Sequence, residues 1–428
     1  MPQRNCINAL EKSFKRSKTI ILPIEMPHYS SLVEDTHEFR LFLDHMIAQL
    51  PELFPEAITL GYHLHDKRAS KKLEGVMIRR IKLVQLDEAG KGQVYSIVPS
   101  AVLPYMSGFT DEVEKALFLL RFGVPFWALT YAFGRNDSYW YRQYCHYGRY
   151  GIVETTIQDK NQIPEHLLAD EKHSKINGEK CYIATTVGDD CVLGVAVSMR
   201  ADEKSLTAAY KTVKEEVNML DNEYKPETVN TDGWFATQKA WLTLFPSIVI
   251  IECFLHAYIS IRARCKRKHK AVWGDIQEKV WDIYHATSAI TFQKQVEALS
   301  LWAEEHVGGT ALDKINKLCG KADRFVIAFD HPNAYRTSNM IDRHMEPMNR
   351  RLTSMRYFHG HLTSAERQIR GWALFHNFGP YCPRSKVSEE WISPAHKLNG
   401  KKYHDNWLHN LLISTSCSPV LILSHKKR

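Results

Sequence analysis

Apolar residues fall at helical spacing in HEFRLFLDHMIAQLPELF (37–54), then alternate along EGVMIRRIKLVQL (74–86) and GQVYSIVPS (92–100) around the turn DEAGKG. This pattern predicts a helix followed by a short hairpin, a mixed α+β region over about 1–105. From 106 to about 160 the pattern turns helical. Thr110 can cap a helix with Asp111 and Glu112 in its first turn and with Val113, Ala116, Leu117 and Leu120 on one face. Gly123 stops it, Pro125 opens PFWALTYAF, Gly134 stops that, and Asn136 or Asp137 caps DSYWYRQYCHYG. Three short helices with tight turns have the outline of a helix-turn-helix, in which Tyr139, Arg142 and Gln143 would reach DNA. A compact helical subdomain with core aromatics is the other reading.

The pattern changes again at 166. HLLADEKHS, CYIATTVG and CVLGVAVSM predict three strands separated by tight turns. ADEKSLTAAYKTVKEEVNML follows as an amphipathic helix with Leu206, Tyr210, Val213 and Val217 on one face. ETVNTD predicts a fourth strand, WFATQKAWLTLF a helix, SIVIIE a fifth strand and CFLHAYISIRAR a helix. The order β-β-β-α-β-α-β-α predicts an α/β fold of the ribonuclease H-like kind, a mixed sheet with helices on both faces, over about 161–380. The residues after 381 are expected to form a C-terminal tail.

Length and composition narrow the picture only a little. A chain of 428 residues allows two or three domains. The net charge of +8 leans mildly toward polyanionic partners. Nine scattered cysteines without a CxxC pair suit a reduced, cytoplasmic protein better than a disulfide framework. The N-terminal TIILPI run is too short for a signal-peptide core. The most apolar window, 245–261, is interrupted by Glu252 and His256 and is shorter than the ~20 residues of a spanning helix, so no membrane partner is expected. His63 and His65, with no cysteine nearby, read as surface residues rather than metal ligands.

The chemistry lies in three acids. In the predicted sheet the middle of the first strand and the end of the fourth are neighbours, which brings Asp170 and Asp232 together although they are 62 residues apart. Two carboxylates so placed repel each other unless a cation lies between them. The third acid is sought in AYRTSNMIDRHMEPMNRRLTSM (334–355), where Asp342 and Glu346 stand at i and i+4 and where Arg350 and Arg351 suit phosphates. Asp342 on its own is an ordinary first-turn acid favoured by the helix dipole. The 110 residues between Asp232 and Asp342 leave room for an all-helical insertion, about 262–333. It opens on RARCKRKHK, six basic residues with no acid, which is either a solvated loop or a DNA-backbone contact through Arg262, Arg264, Lys266, Arg267 and Lys268.

Taken together these segments resemble the DDE/D transposases of bacterial insertion sequences, in the Mutator-like branch with a helical insertion. ADEKHSKINGEKCYIATTVG is similar to their first-acid segment and VNTDGWFATQKAW to their second. CFLHAYISIR matches their Cys-x-x-His signature through Cys253 and His256, and YRTSNMIDRHMEPMNRR their Thr-x-Asn-x-Ile-Glu-Arg segment, with Asp342 where the family usually has Glu. FHGH and RGWALFHNFGPYCP resemble the segments that follow, so the likeness covers about 165–380. It implies that Asp170, Asp232 and Asp342, with Glu346 as the fallback, hold two Mg²⁺ (or Mn²⁺) ions for DNA cleavage and strand transfer. It also implies binding to terminal inverted repeats and target DNA, a homodimer or larger paired-end complex, and a nucleoid-associated location. Cys253 and His256 are too few for a tetrahedral zinc site, so a packing or strand-positioning role is expected. A non-catalytic DNA-binding derivative and a structure-specific nuclease of the same fold are the competing functions.

Overall fold

A computed structural model describes residues 10–268 and 271–425. β1 (Leu10–Arg16) pairs antiparallel with β11 (Pro419–His425), so the two ends of the described chain meet in a two-stranded ribbon. β2 (Thr19–Leu22), helices α1 (Met26–Glu34) and α2 (Thr36–Gln49), and strands β3 (Tyr62–Ala69), β4 (Met77–Leu86) and β5 (Gly92–Pro99) follow. The predicted hairpin is present as β4–β5 inside a sheet of order β2-β5-β4-β3. β3, which the sequence pattern did not predict, carries His63 and His65 with both exposed.

Helices α3 (Thr110–Leu120), α4 (Phe126–Phe133), α5 (Asp137–Tyr147) and α6 (Ile152–Thr156) come next. Asn136 caps α5 by accepting from Tyr139 N at 2.8 Å. Thr110 is the first residue of α3 rather than its cap, and its hydroxyl donates to the Ser100 carbonyl at 2.6 Å.

The central sheet is built from β6 (His166–Ile176), β7 (Glu179–Gly188), β8 (Cys191–Ser198), β9 (Thr228–Thr231) and β10 (Val249–Glu252) in the order β10-β9-β6-β7-β8. β7 is antiparallel to β6 and β8, whereas β9 is parallel to β6 and β10. Both faces are covered, which is why β7 and β8 read as continuous apolar runs instead of alternating. On one face Leu167, Ala169, Ala184 and Leu193 pack under α7 (Glu203–Leu220) and α8 (Phe235–Leu244), around Tyr210, Val213 and Trp241. On the other face Leu168, Ile183, Val192 and Val195 meet α14 (Asn339–Ser354) and α15 (Leu362–Phe378) through Ile341, Ile369 and Trp372.

Between β10 and α14 lie α9 (Phe254–Lys268), α10 (Trp273–His285), α11 (Ala289–His306), α12 (Gly309–Cys319) and α13 (Ala322–Val326). They have a core of their own, with Phe254, Ile276, Val280, Phe292, Leu299 and Ile315 at its centre. The segment after 381 is more than a tail. α16 (Pro394–Asn399) lies against the sheet, and α17 (Trp407–Ser414) buries Leu408, Leu411 and Leu412 in the same core that holds Ile20, Leu117 and Ile183. Among the described residues no helix is long and apolar enough to cross a membrane.

Candidate active site

β9 ends at Thr231, and Asp232 makes the turn that follows. One of its carboxylate oxygens accepts from Trp234 N at 2.8 Å, an Asx turn that leaves the other oxygen at the sheet edge. Gly233 is required here. Its φ is +89°, and a Cβ would stand 2.5 Å from Oε1 of Glu252 at the end of β10. Asp232 is thus a turn residue and an edge carboxylate at once.

β6 runs parallel to β9 with Leu168 opposite Asn230, so Asp170 and Asp232, each two residues on, reach the same level of the edge. Burial pushes the Asp170 carboxyl up to about 6, and the charges of Asp232 and Asp342 add to the rise; a backbone donor from Glu171 and the nearby His256 work against it. Asp342 stands exposed in the first turn of α14. Ser338 Oγ donates to Asp342 Oδ2 at 3.0 Å, while Ser338 N donates to Cys253 Sγ at 3.1 Å. Cys253 therefore ties the end of β10 to the start of α14 through Ser338, a positioning role.

His256, one turn into α9, is raised to about 9 by the Cys253 sulfur beside it, with Asp232 and Asp170 pulling the same way against burial. Its Nδ1 is buried with no hydrogen-bond partner. His256 thus stands beside Cys253 and near Asp170 and Asp232, whose charges favour its protonated form.

Asp170, Lys172, His173, Asp342, Glu346 and Asn349 line an open cleft of about 470 Å³. Glu346 faces it too, and its carboxylate accepts from Arg350 Nη2 at 2.5 Å. The three aspartates share one field without closing into a single shell of ligand atoms. Among the described residues, the only metal-type group with its ligand atoms within 4.8 Å of one another is Glu165, His166 and Glu227, at the other end of these strands.

Glu171 escaped the sequence reading. It follows Asp170 on the opposite face of β6, where Oε1 accepts from Tyr210 and Thr237 hydroxyls at 2.7 Å each and Oε2 is buried without a partner. Burial pushes it up to about 7, and the charges of Asp170 and Asp232 add to that. The only sequence signal was an acid in the period-2 position that faces the core.

The expected DNA contacts divide. Arg142, Arg262, Arg264 and Arg350 are exposed. Gln143 is buried and donates to Ser107 Oγ at 2.9 Å, and half-buried Tyr139 packs its ring on Trp140, so neither presents a free edge to a groove. The cause is the crossing of α5 and α15. Gly148 and Gly371 let the backbones approach so closely that a Cβ on Gly371 would stand 2.6 Å from the Tyr144 carbonyl. The face of α5 carrying Trp140, Gln143, Tyr144 and Tyr147 is core. Arg351 is also corrected: it is 1% exposed, its guanidinium lies 4.9 Å from the ring centroids of both Phe126 and Tyr144, and it donates to the Val124 carbonyl. The side chains of Lys266, Arg267 and Lys268 lie outside the described residues.

Comparison of the sequence with protein-family models and with curated proteins gave no match.

Proposed function

We propose that this chain is a DDE/D transposase that cuts and joins DNA by metal-dependent phosphodiester chemistry at Asp170, Asp232 and Asp342. The observation that carries the reading is geometric: Leu168 of β6 lies opposite Asn230 of β9, two residues before Asp170 and Asp232, and Asp170 and Asp342 line one cleft although 172 residues separate them. Three carboxylates brought together at a sheet edge are costly unless a cation offsets their charge. A hard, oxygen-only donor set of this kind suits Mg²⁺ or Mn²⁺. The strand order and the pairing directions support a ribonuclease H-like fold, with α9–α13 as its insertion.

Two divalent ions at these acids would supply Lewis-acid activation of the attacking hydroxyl and stabilisation of the leaving 3′-oxygen. The protein's own part is to aim the ligands. The Asx turn fixes Asp232, Ser338 orients Asp342, and His256 lies close enough for Asp170 and Asp232 to favour its protonated form. Exposed Arg262 and Arg264 beyond the site are suited to backbone phosphates.

A structure-specific nuclease of the same fold is the second reading, and the burial of the α5 face favours it, because it withdraws Gln143 from any groove and leaves Arg142 as the one exposed candidate there. The two are separated by incubating the protein with Mg²⁺ or Mn²⁺ and with the DNA that flanks its coding sequence. Defined 3′-hydroxyl ends at two inverted repeats support the transposase. Cuts that follow DNA structure and ignore sequence support the nuclease.

A further inference from the structure

We propose a second metal site, for a borderline transition-metal dication such as Zn²⁺, at the opposite end of the central sheet, formed by Glu165, His166 and Glu227, with His331 holding Glu227 from behind. It does not rest on the transposase reading. His166 opens β6 with Glu165 directly before it, and Glu227 directly precedes β9. The Glu227 N–H donates to the Glu165 carbonyl at 2.8 Å, so the two strands deliver these side chains to one spot. One ligand atom from each of Glu165, His166 and Glu227 lies within 4.8 Å of the other two. His166 Nε2 stands 3.9 Å from Glu227 Oε2, and His331 Nδ1 contacts the other oxygen of Glu227.

Two features separate this group from an ordinary surface ion-pair cluster. His166 Nδ1 is 3.1 Å from Thr228 Oγ1, a contact outside the cluster that fixes the ring and leaves Nε2 directed at Glu227. An outer partner on one ring nitrogen is how metal-ligating histidines are held. His331, in turn, comes from the segment that returns from the helical insertion. That segment is laid across the sheet by Asn230 Nδ2, which donates to the Tyr335 carbonyl at 2.9 Å, and by the Tyr335 hydroxyl, which accepts from Asp189 N at 3.0 Å. It then enters α14. The donor set of one imidazole and two carboxylates, with an outer imidazole on Glu227, suits zinc better than Mg²⁺. From His166 to Asp170 is four residues along a strand, roughly 13 Å. The site is therefore separate from the aspartate cleft, and a metal there would pin the insertion's return segment ahead of the helix that carries Asp342.

The test uses the full-length chain, stripped with a chelator, in the Asp232→Asn background so that the aspartate cleft contributes little. Co²⁺ is titrated as the spectroscopic probe and Zn²⁺ as the competitor. The expected result is one equivalent of Co²⁺ giving visible bands of a nitrogen–oxygen site, without thiolate charge transfer, that Zn²⁺ displaces. Glu227→Gln and His166→Ala should each weaken binding at least about tenfold, and His331→Ala comparably, which is the scale of losses at metal sites. Thermal unfolding of each metal-free variant shows whether it is folded. The wild-type spectrum stands as evidence independently of the variants. No stoichiometric Co²⁺ band, a thiolate band, or unchanged affinity in folded Glu227→Gln and His166→Ala overturns the proposal.

Discussion

Asp170 and Asp232 each follow by two residues a pair of facing residues on neighbouring parallel strands, Leu168 of β6 and Asn230 of β9, with Asp232 in the turn just beyond β9. Adjacent strands are about 4.8 Å apart, so this register sets one carboxylate beside another. The resulting field is felt at Asp170, at Glu171 behind it and at His256.

One consequence is a pH-dependent cost to the fold. The Asp170 carboxyl is raised from 3.8 to about 6, so its charged form is disfavoured in the folded chain. The cost is absent below about pH 4, grows as pH rises toward 6 and is full above that. Asp170→Asn should therefore stabilise the metal-free protein at pH 7.5 by on the order of 2–3 kcal/mol and hardly at all at pH 4. Urea unfolding at the two pH values checks this; an equal effect at both would show that Asp170 is not under strain from its neighbours.

The Cys253–Ser338–Asp342 link gives a second prediction. Ser338→Ala removes the donor that orients Asp342 and should lower metal-dependent cleavage about tenfold or more, while costing only about 1 kcal/mol of stability. Ser338→Thr, which keeps the hydroxyl, should recover much of the rate. Cleavage rates beside melting curves decide it, and a Ser338→Ala enzyme at the parent rate would remove this link from the account.

Arg351 and the exposed arginines should behave in opposite ways. Arg351→Ala opens a buried cation–π sandwich and should cost about 2–4 kcal/mol. The salt dependence of DNA binding should stay unchanged. Arg262→Ala with Arg264→Ala should leave stability alone and flatten the slope of log K against log salt by roughly 0.9 for each phosphate that is no longer neutralised. Titrations at several salt concentrations separate the two sets.

Gly233→Ala should destabilise the chain by about 1–3 kcal/mol, because the residue has φ of +89° and a Cβ would press on the Glu252 carboxylate. Glu252 is itself held by Lys321 and Arg324, so it has little room to yield. A melting temperature equal to that of the parent chain would count against this reading of the turn.

The sheet from 166 to 252 was legible because β7, β8 and β10 are apolar runs closed by turn residues and α7 has a one-sided stripe, local signals that tertiary packing reinforced. The choice of Asp170 and Asp232 rested on the strand order together with the family likeness. The fate of α5 was not legible. Tyr and Trp serve a groove and a core equally well, and the choice was made by Gly148 meeting Gly371, far apart in sequence. Arg351 misled for the same reason, since the two rings that bury it come from two other helices. α12 carries a one-sided stripe through Ala311, Ile315 and Leu318, a local signal that was legible, whereas α13 is only five residues long.

The most direct measurement of the central claim is Mn²⁺-dependent cleavage of the flanking DNA by the wild-type chain and by Asp170→Asn, Asp232→Asn and Asp342→Asn, with DNA binding followed in parallel. The account predicts that each substitution abolishes cleavage while binding stays intact or tightens, because a metal ligand is removed and a negative charge disappears beside the phosphates. Cleavage by Asp232→Asn near the wild-type rate would contradict it.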